Sequence, residues 1–302
     1  MDPLVVVFGL GVGILVGMTG IGGGSLMTPL LILAVGVKPV VAIGTDLAYG
    51  AITKTVGGWR HLRKGTVDMG ISGWLAAGSV PGSLIGVWLV ERLHDTHGAS
   101  FDDPLLISVA VALLLVSLTI LARALFMPRL VARERETVVM GRREKATAAG
   151  IGLVLGFILG VTSVGSGALI GLALILVFRL TPHRVVGTDV FHAAILLWVA
   201  GLAHFVSGNV DLGLTANILV GSIPGVWIGT GLMTRVPSAG LRPALGCVLL
   251  GSALGVLSKG GVEVPVAVIV GLPALAGLAA WVLMRRRGRR ESAAQRAATV
   301  VG

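Results

Sequence analysis

The sequence predicts an all-α integral membrane protein. It reads as two inverted repeats, each a broken, re-entrant helix hairpin plus three transmembrane helices, with one extra C-terminal transmembrane helix. Three observations predict this. Apolar residues fill 55% of 302 positions and charged ones only 13%, against about a quarter charged in a soluble domain. A set of motifs recurs at one constant offset, and a glycine-rich polar break interrupts the first apolar stretch of each copy.

Apolar stretches at 71–90, 104–126, 212–233 and 262–284 are long enough to cross a hydrocarbon core of about 30 Å. An ordinary cytosolic protein is thereby excluded. The net charge of +10 comes from cations in short inter-span segments and in the tail residues Arg285, Arg286, Arg287, Arg289 and Arg290. That distribution fits positive-inside anchoring and not nucleic acid. Met1-Asp2-Pro3 lacks a basic n-region and no cleavage site follows the first apolar stretch, so no removable signal peptide is expected. Cys247 is the one cysteine, which leaves no intramolecular disulfide and no multi-thiolate metal site. No metal and no cofactor are expected.

The repeat is the most informative feature. Gly17, Thr19, Gly22, Gly24 and Leu26 recur as Gly160, Thr162, Gly165, Gly167 and Leu169. Gly44-Thr45-Asp46 recurs as Gly187-Thr188-Asp189, and His61, Gly65 and Asp68 recur as His204, Gly208 and Asp211. Gly78-Ser79-x-Pro81-Gly82-x-x-x-Gly86 recurs as Gly221-Ser222-x-Pro224-Gly225-x-x-x-Gly229. Every pair is 143 positions apart, the signature of a duplication. The chain divides into a first membrane repeat (1–126), a basic cytoplasmic linker (127–147), a second membrane repeat (148–258), an extra transmembrane helix (259–284) and a basic cytoplasmic tail (285–302).

The elements follow in order from charge and length. Linker and tail are both basic, so both are expected in the cytoplasm with an even number of crossings between them. The apolar segments there are 148–178, 184–206, 211–234, 241–258 and 262–284. The first would be about 46 Å long as one helix, and it is interrupted at 162–167. Reading it as two half-helices in a re-entrant hairpin leaves four crossings. Arg179, His183, Arg184, Arg235 and Arg242 then fall inside. In the first repeat Glu91, Asp95, Asp102 and Asp103 fall outside and Arg60, Arg63 and Lys64 inside. His61 and His204 come to lie on opposite sides, so the repeats are inverted, the N-terminus is outside and the C-terminus is cytoplasmic. Inverted repeats with broken helices are a recurring plan of secondary transporters.

The breaks carry the candidate binding residues: Thr19, Gly22, Gly23, Gly24 and Ser25 in the first, and Thr162, Ser163, Gly165, Ser166 and Gly167 in the second. Unpaired amides in hydrocarbon cost several kcal/mol each, so the breaks must line protein or a water-filled cavity. Half-helices starting near Gly24 and Gly167 would aim their positive dipole ends at the midplane and cradle an anion. Close helix packing is the alternative reading of these glycines. Neither break has P-loop or dinucleotide-fold spacing.

Asp46 and Asp189 lie just inside apolar spans, where a carboxylate is costly. A coupling proton, a bound cation, or a helix cap would each account for them. Lys54, two turns beyond Asp46, has Leu197 as its counterpart; it could pair with Asp46, attract an anion, or snorkel to the surface. His192, opposite Tyr49 in the repeat, reads as a polar-site or relay residue or as a packing histidine. The Gly78 and Gly221 stripes read as helix-packing faces, and Pro81 and Pro224 as bends that could serve gating.

Taken together, the doubled pattern of glycine-rich break, Gly-Thr-Asp, basic turn ending Gly65-Thr66-Val67-Asp68, and Gly-Ser-x-Pro-Gly resembles the sulfite exporter family TauE/SafE over about 5–258. The resemblance implies export of small sulfur-containing anions, such as sulfite, sulfoacetate or related organosulfonates, across the inner (cytoplasmic) membrane. Gly22-Gly23-Gly24 and Gly165-Ser166-Gly167 match the family's two breaks, and Thr45 and Thr188 match its polar motif after them. The expected partners are a small anionic substrate and the lipid bilayer, with no nucleic acid and a homodimer left open. An anion or ion channel is the competing class, since paired hairpins also build filters, and a proton- or sodium-coupled transporter of another small anion is the other alternative. No nucleophile–base set or metal-ligand spacing stands in any span, so no catalytic residues and no enzyme activity are expected.

Overall fold

The structure is a computed structural model that describes residues 2–19, 24–126, 134–233 and 238–301. It is built from helices: α1 (Pro3–Thr19), α2 (Gly24–Leu30, continued by a wider π-type turn Leu31–Val35), α3 (Pro39–Arg63), α4 (Met69–His97), α5 (Asp102–Phe126), α6 (Arg142–Thr162), α7 (Leu169–Leu176), α8 (Pro182–Val206), α9 (Leu212–Met233), α10 (Ser238–Lys259) and α11 (Val266–Val301). Among the described residues there is no strand, only one isolated bridge between Arg135 and Leu180. The all-α reading therefore holds, and five helical stretches are long and apolar enough to cross a membrane. Apolar side chains such as Val7, Trp88 and Trp227 are exposed on the outer surface, a surface suited to lipid and not to water.

The helix starts are written in the repeat. Pro39 and Pro182 open α3 and α8 at the first helical position, where a missing N–H costs nothing. Asp68 caps α4 by accepting from the Ile71 N–H at 3.0 Å, and Asp211 accepts from the Leu214 N–H at 2.8 Å at the start of α9.

Repeat-equivalent helices meet in a reciprocal pattern. Near its start α3 lies against the end of α8, where Gly44 faces Asn209 and His204, and near its end Gly58 faces Phe191. The two copies of this helix therefore run antiparallel at the centre of the molecule. The Trp198 indole N–H donates to the Thr55 hydroxyl at 2.8 Å, joining two equivalent positions directly. Around this centre α1 runs beside α9, and α6 beside α4. Glycines line both seams: a Cβ on Gly13 would strike the Ser222 backbone, and one on Gly225 the Leu10 carbonyl. In the other seam Gly156 meets Ser79 and Gly82 meets Leu153. Helices this close need small residues on both partners.

Both broken segments double back. The Arg135 N–H donates to the Arg179 carbonyl at 2.8 Å, and the Thr181 N–H to the Arg135 carbonyl at 3.2 Å. The chain entering α6 and the chain leaving α7 are thus tied together at one end. In the first copy Gly9 of α1 lies against Ile218 near the start of α9, and Thr45, soon after α2, is bonded to Asp211 at that same start.

Two boundaries differ from the sequence reading. α6 begins at Arg142, inside the stretch read as linker, and α11 continues to Val301 through the stretch read as a separate tail. Arg, Lys, Glu, Gln and Ala are all good helix formers, so these helices extend beyond the point where hydropathy falls.

Candidate functional site

The site is assembled where α2 of the first hairpin and the turn of the second approach α3 and α8. At the second turn Ser163 ends α6 in a left-handed conformation with φ 60°, and Gly165 and Gly167 follow at φ 123° and 101°. Two of these three residues are glycine because such φ values are costly with a side chain. Ser163 tolerates its conformation while its hydroxyl donates to Asp46 Oδ2 at 2.7 Å. From the first hairpin the Thr28 hydroxyl donates to the same oxygen at 2.6 Å. A Cβ on Gly24 would sit 3.1 Å from the Ser163 carbonyl, so a glycine lets the two hairpins come this close. Asp46 is fully buried, and its Oδ1 has no hydrogen-bond partner among the described residues.

The second carboxylate is held differently. Asp189 Oδ1 accepts from the Gly167 N–H at 3.1 Å, and Oδ2 lies 4.0 Å from the Lys54 ammonium. Lys54 is thus turned to Asp189 and not to Asp46. It is buried, and its Nζ makes no hydrogen bond among the described residues. Snorkelling to the surface, one of the readings of this residue, is ruled out by that burial.

Each residue of the Gly-Thr-Asp motif has a separate structural task. Gly44 gives the Asn209 carbonyl room and Gly187 gives the Thr66 carbonyl room. Thr45 accepts from the Asp211 N–H at 3.1 Å and Thr188 from the Asp68 N–H at 2.9 Å, so each holds the helix start of the opposite copy. The carboxylates then face the hairpins. Both threonines have one face committed to backbone.

Thr162 spends its hydroxyl on the Ile158 carbonyl at 2.7 Å and accepts from the Val164 N–H at 3.2 Å, which shapes the turn. Ser25 and Ser166 are buried beside the turns, with the Ser25 hydroxyl unpartnered. His192 is buried with Nε2 2.8 Å from the Ser79 hydroxyl, at the level of Tyr49 in the other copy, which lies beside Ser222. Pro81 and Pro224 sit inside the continuous helices α4 and α9 on their outer faces, away from the carboxylates. Gly22 and Gly23 lie outside the described residues, and Thr19 is described only as the end of α1.

The sequence reading missed Thr28, which shares the Asp46 oxygen with Ser163. The signal available was its counterpart, Gly171: a lone hydroxyl in one copy of the hairpin. Among the described residues no group of three or more His, Cys, Asp or Glu is gathered to hold a metal.

The second hairpin turn thus brings the Ser163 hydroxyl and the Gly167 N–H to the two buried carboxylates, and α2 of the first hairpin adds the Thr28 hydroxyl. The model of the family described as sulfite exporter TauE/SafE matches residues 5–256. The chain belongs to this family. TauE/SafE proteins are membrane transporters and not enzymes. The chain is similar to the probable membrane transporter protein YjnA of Bacillus subtilis, at 37% identity over 84% of this chain and 99% of that one. It is also similar to the probable membrane transporter protein YdhB of the same organism, at 27% over 77% and 91%. A probable membrane transporter protein of Xylella fastidiosa is 28% identical over 85% and 96%. No solved structure matches the chain. The TauE/SafE match ends before α11.

Proposed function

We propose that the protein is a secondary carrier that exports small sulfur-containing anions, sulfite or an organosulfonate such as sulfoacetate, across the cytoplasmic membrane by alternating access. The observation that carries this reading is the meeting of α2 of the first hairpin and the turn of the second hairpin at buried carboxylates on α3 and α8. Two buried donors without a hydrogen bond among the described residues suit an anion, the Lys54 ammonium and the Ser25 hydroxyl, and the Thr28 and Ser163 hydroxyls and the Gly167 N–H, now held by carboxylates, stand beside them. A low-dielectric site makes each such donor worth more than in water. Thr45 and Thr188 stand one residue from the carboxylates and belong to the same proposed site, as do the turn residues Gly23 and Ser166.

Carrier and channel differ in the kinetics of flux. Purified protein in vesicles loaded with sulfite is expected to release it at a rate that saturates with internal concentration. Tryptophan at Ser166 is expected to abolish that release while the protein remains folded. Ohmic currents through single molecules would replace the carrier with a channel. Normal release by the Ser166→Trp variant would move the site elsewhere.

A further inference from the structure

The two copies of the Gly-Thr-Asp motif are provided with unequal counter-ions. Asp189 has the Lys54 ammonium 4.0 Å away. At the position equivalent to Lys54 the chain has Leu197, whose methyls lie against Gly50. Asp46 therefore has no fixed cation in the place where its twin has one. Its Oδ2 takes two hydroxyls, one from each hairpin, while Oδ1 is buried and has no hydrogen-bond partner among the described residues. An ionised carboxylate in such a place lacks its compensation.

The structure assigns Asp46 as the exchangeable-proton site of this carrier, protonated when the substrate anion is bound and ionised when the site is empty. This rests on the transport reading of the same site. The ionised carboxylate holds Thr28 and Ser163 by charge-assisted bonds, about twice as strong as neutral ones, and it repels an anion. Taking up a proton on Oδ1 removes the repulsion and weakens the hold on both hydroxyls. Those hydroxyls can then turn to the anion, and the tie between the two hairpins loosens in the same step. On release the proton leaves Oδ1 for water in the opened site. A metal ion in place of the proton would need several oxygen ligands around Oδ1 and room for its volume, whereas a proton adds none.

Other charged groups are committed elsewhere. On α3 Tyr49 and Lys54 point to Ser222 and Asp189; on α8 His204 is bonded to the Gly160 carbonyl at 3.2 Å and Asp189 to Gly167. Asp211 ahead of α9 caps that helix, Arg123 of α5 lies against α7, and Lys259 of α10 holds the Ile32 carbonyl at 2.6 Å. α2 and its π-type turn carry no titratable side chain. None of these groups bonds Asp46 among the described residues.

The test reads the proton itself and needs no substrate. Infrared difference spectra of the purified protein across a pH titration are expected to show the carbonyl stretch of one buried carboxylic acid that is reversibly lost on raising the pH. The band should be absent from Asp46→Asn and kept in Asp189→Asn. Thr28→Val and Ser163→Ala should each shift it, because both hydroxyls bond its carbonyl oxygen. These two variants decide the matter if Asp46→Asn fails to fold. No band, a band that survives in Asp46→Asn, or a band unmoved in both hydroxyl variants overturns the proposal. So does loss of the band on adding sodium at constant pH. If the band behaves as expected and sulfite flux is absent, the substrate reading fails and the proton site stands.

Discussion

Thr45 and Thr188 act as a reciprocal clasp: each accepts from a backbone N–H that begins a helix of the opposite copy. Valine in place of Thr188 keeps the shape and removes the acceptor, leaving the Asp68 N–H buried and unpaired. Such a loss costs about 1–3 kcal/mol. Thr188→Val should lower the apparent melting temperature in detergent by several degrees while Thr188→Ser does not. The Thr45→Val loss should add to it, because the two sites share no partner. A Thr188→Val protein of unchanged melting temperature but lost flux would instead make the threonine a substrate ligand. At this scale the sequence names the residue and hides its partner. The repeated Gly-Thr-Asp marks both threonines as special, but spacing along one chain does not say which distant amide a hydroxyl will meet. Thr28 is the opposite case, a site residue without a repeat mate and so invisible to a search for repeats.

Helix pairs are governed by their glycine seams. In α6 a Cβ at Gly156 would collide with the Ser79 backbone, whereas at Gly150 it meets nothing within 4 Å. Valine at Gly156 should therefore destabilise the protein by at least the 1–3 kcal/mol typical of overpacking, and valine at Gly150 should be tolerated. Melting of the two variants side by side checks this; equal stability would mean that α4 and α6 do not meet as described. The stripes on α4 and α9 are legible from their four-residue spacing. Their partners are legible too, since Gly9 and Gly13 stand 143 positions before Gly152 and Gly156. What spacing could not show is the exchange, in which the stripe of one copy seats the hairpin helix of the other. Helix ends were less legible, because α6 and α11 run on through charged residues that hydropathy reads as the end of a span.

Across the whole molecule, both hairpins return to the end from which they start, so residue 2 and the chain at 134–141 lie at opposite ends of the bundle. Basic side chains gather at the end of the second of these, with Arg63, Arg179 and Arg184, and acidic ones such as Glu91, Asp95 and Asp103 near the other. The positive-inside rule therefore predicts that the basic end, with the chain at 134–141, faces the cytoplasm. A reporter active only in the cytoplasm should be silent when fused before Asp2 and active when fused after Gly302; activity at the N-terminus would overturn this orientation. A proton carried on Asp46 adds a second expectation for a monovalent cargo such as hydrogensulfite, whereas a dianion such as sulfoacetate would keep one net negative charge. Flux of the monovalent cargo should respond to an imposed pH difference and hardly at all to an imposed membrane potential, because the moving pair is neutral. An uncoupled anion would instead feel about 2.3 kcal/mol per 100 mV.

The hydrogen bond from Trp198 to Thr55 joins one position of the repeat to its own second copy. In a symmetric dimer of separate half-length chains that position would face itself, with two tryptophans or two threonines at the axis. The same would hold one residue earlier, where two lysines or two leucines would stand in place of Lys54 and Leu197. Carrying both halves on one polypeptide removes that constraint, since each position at the axis can be chosen twice. A single positive charge at the centre, serving one carboxylate and withheld from the other, is an arrangement that no pair of identical halves can encode.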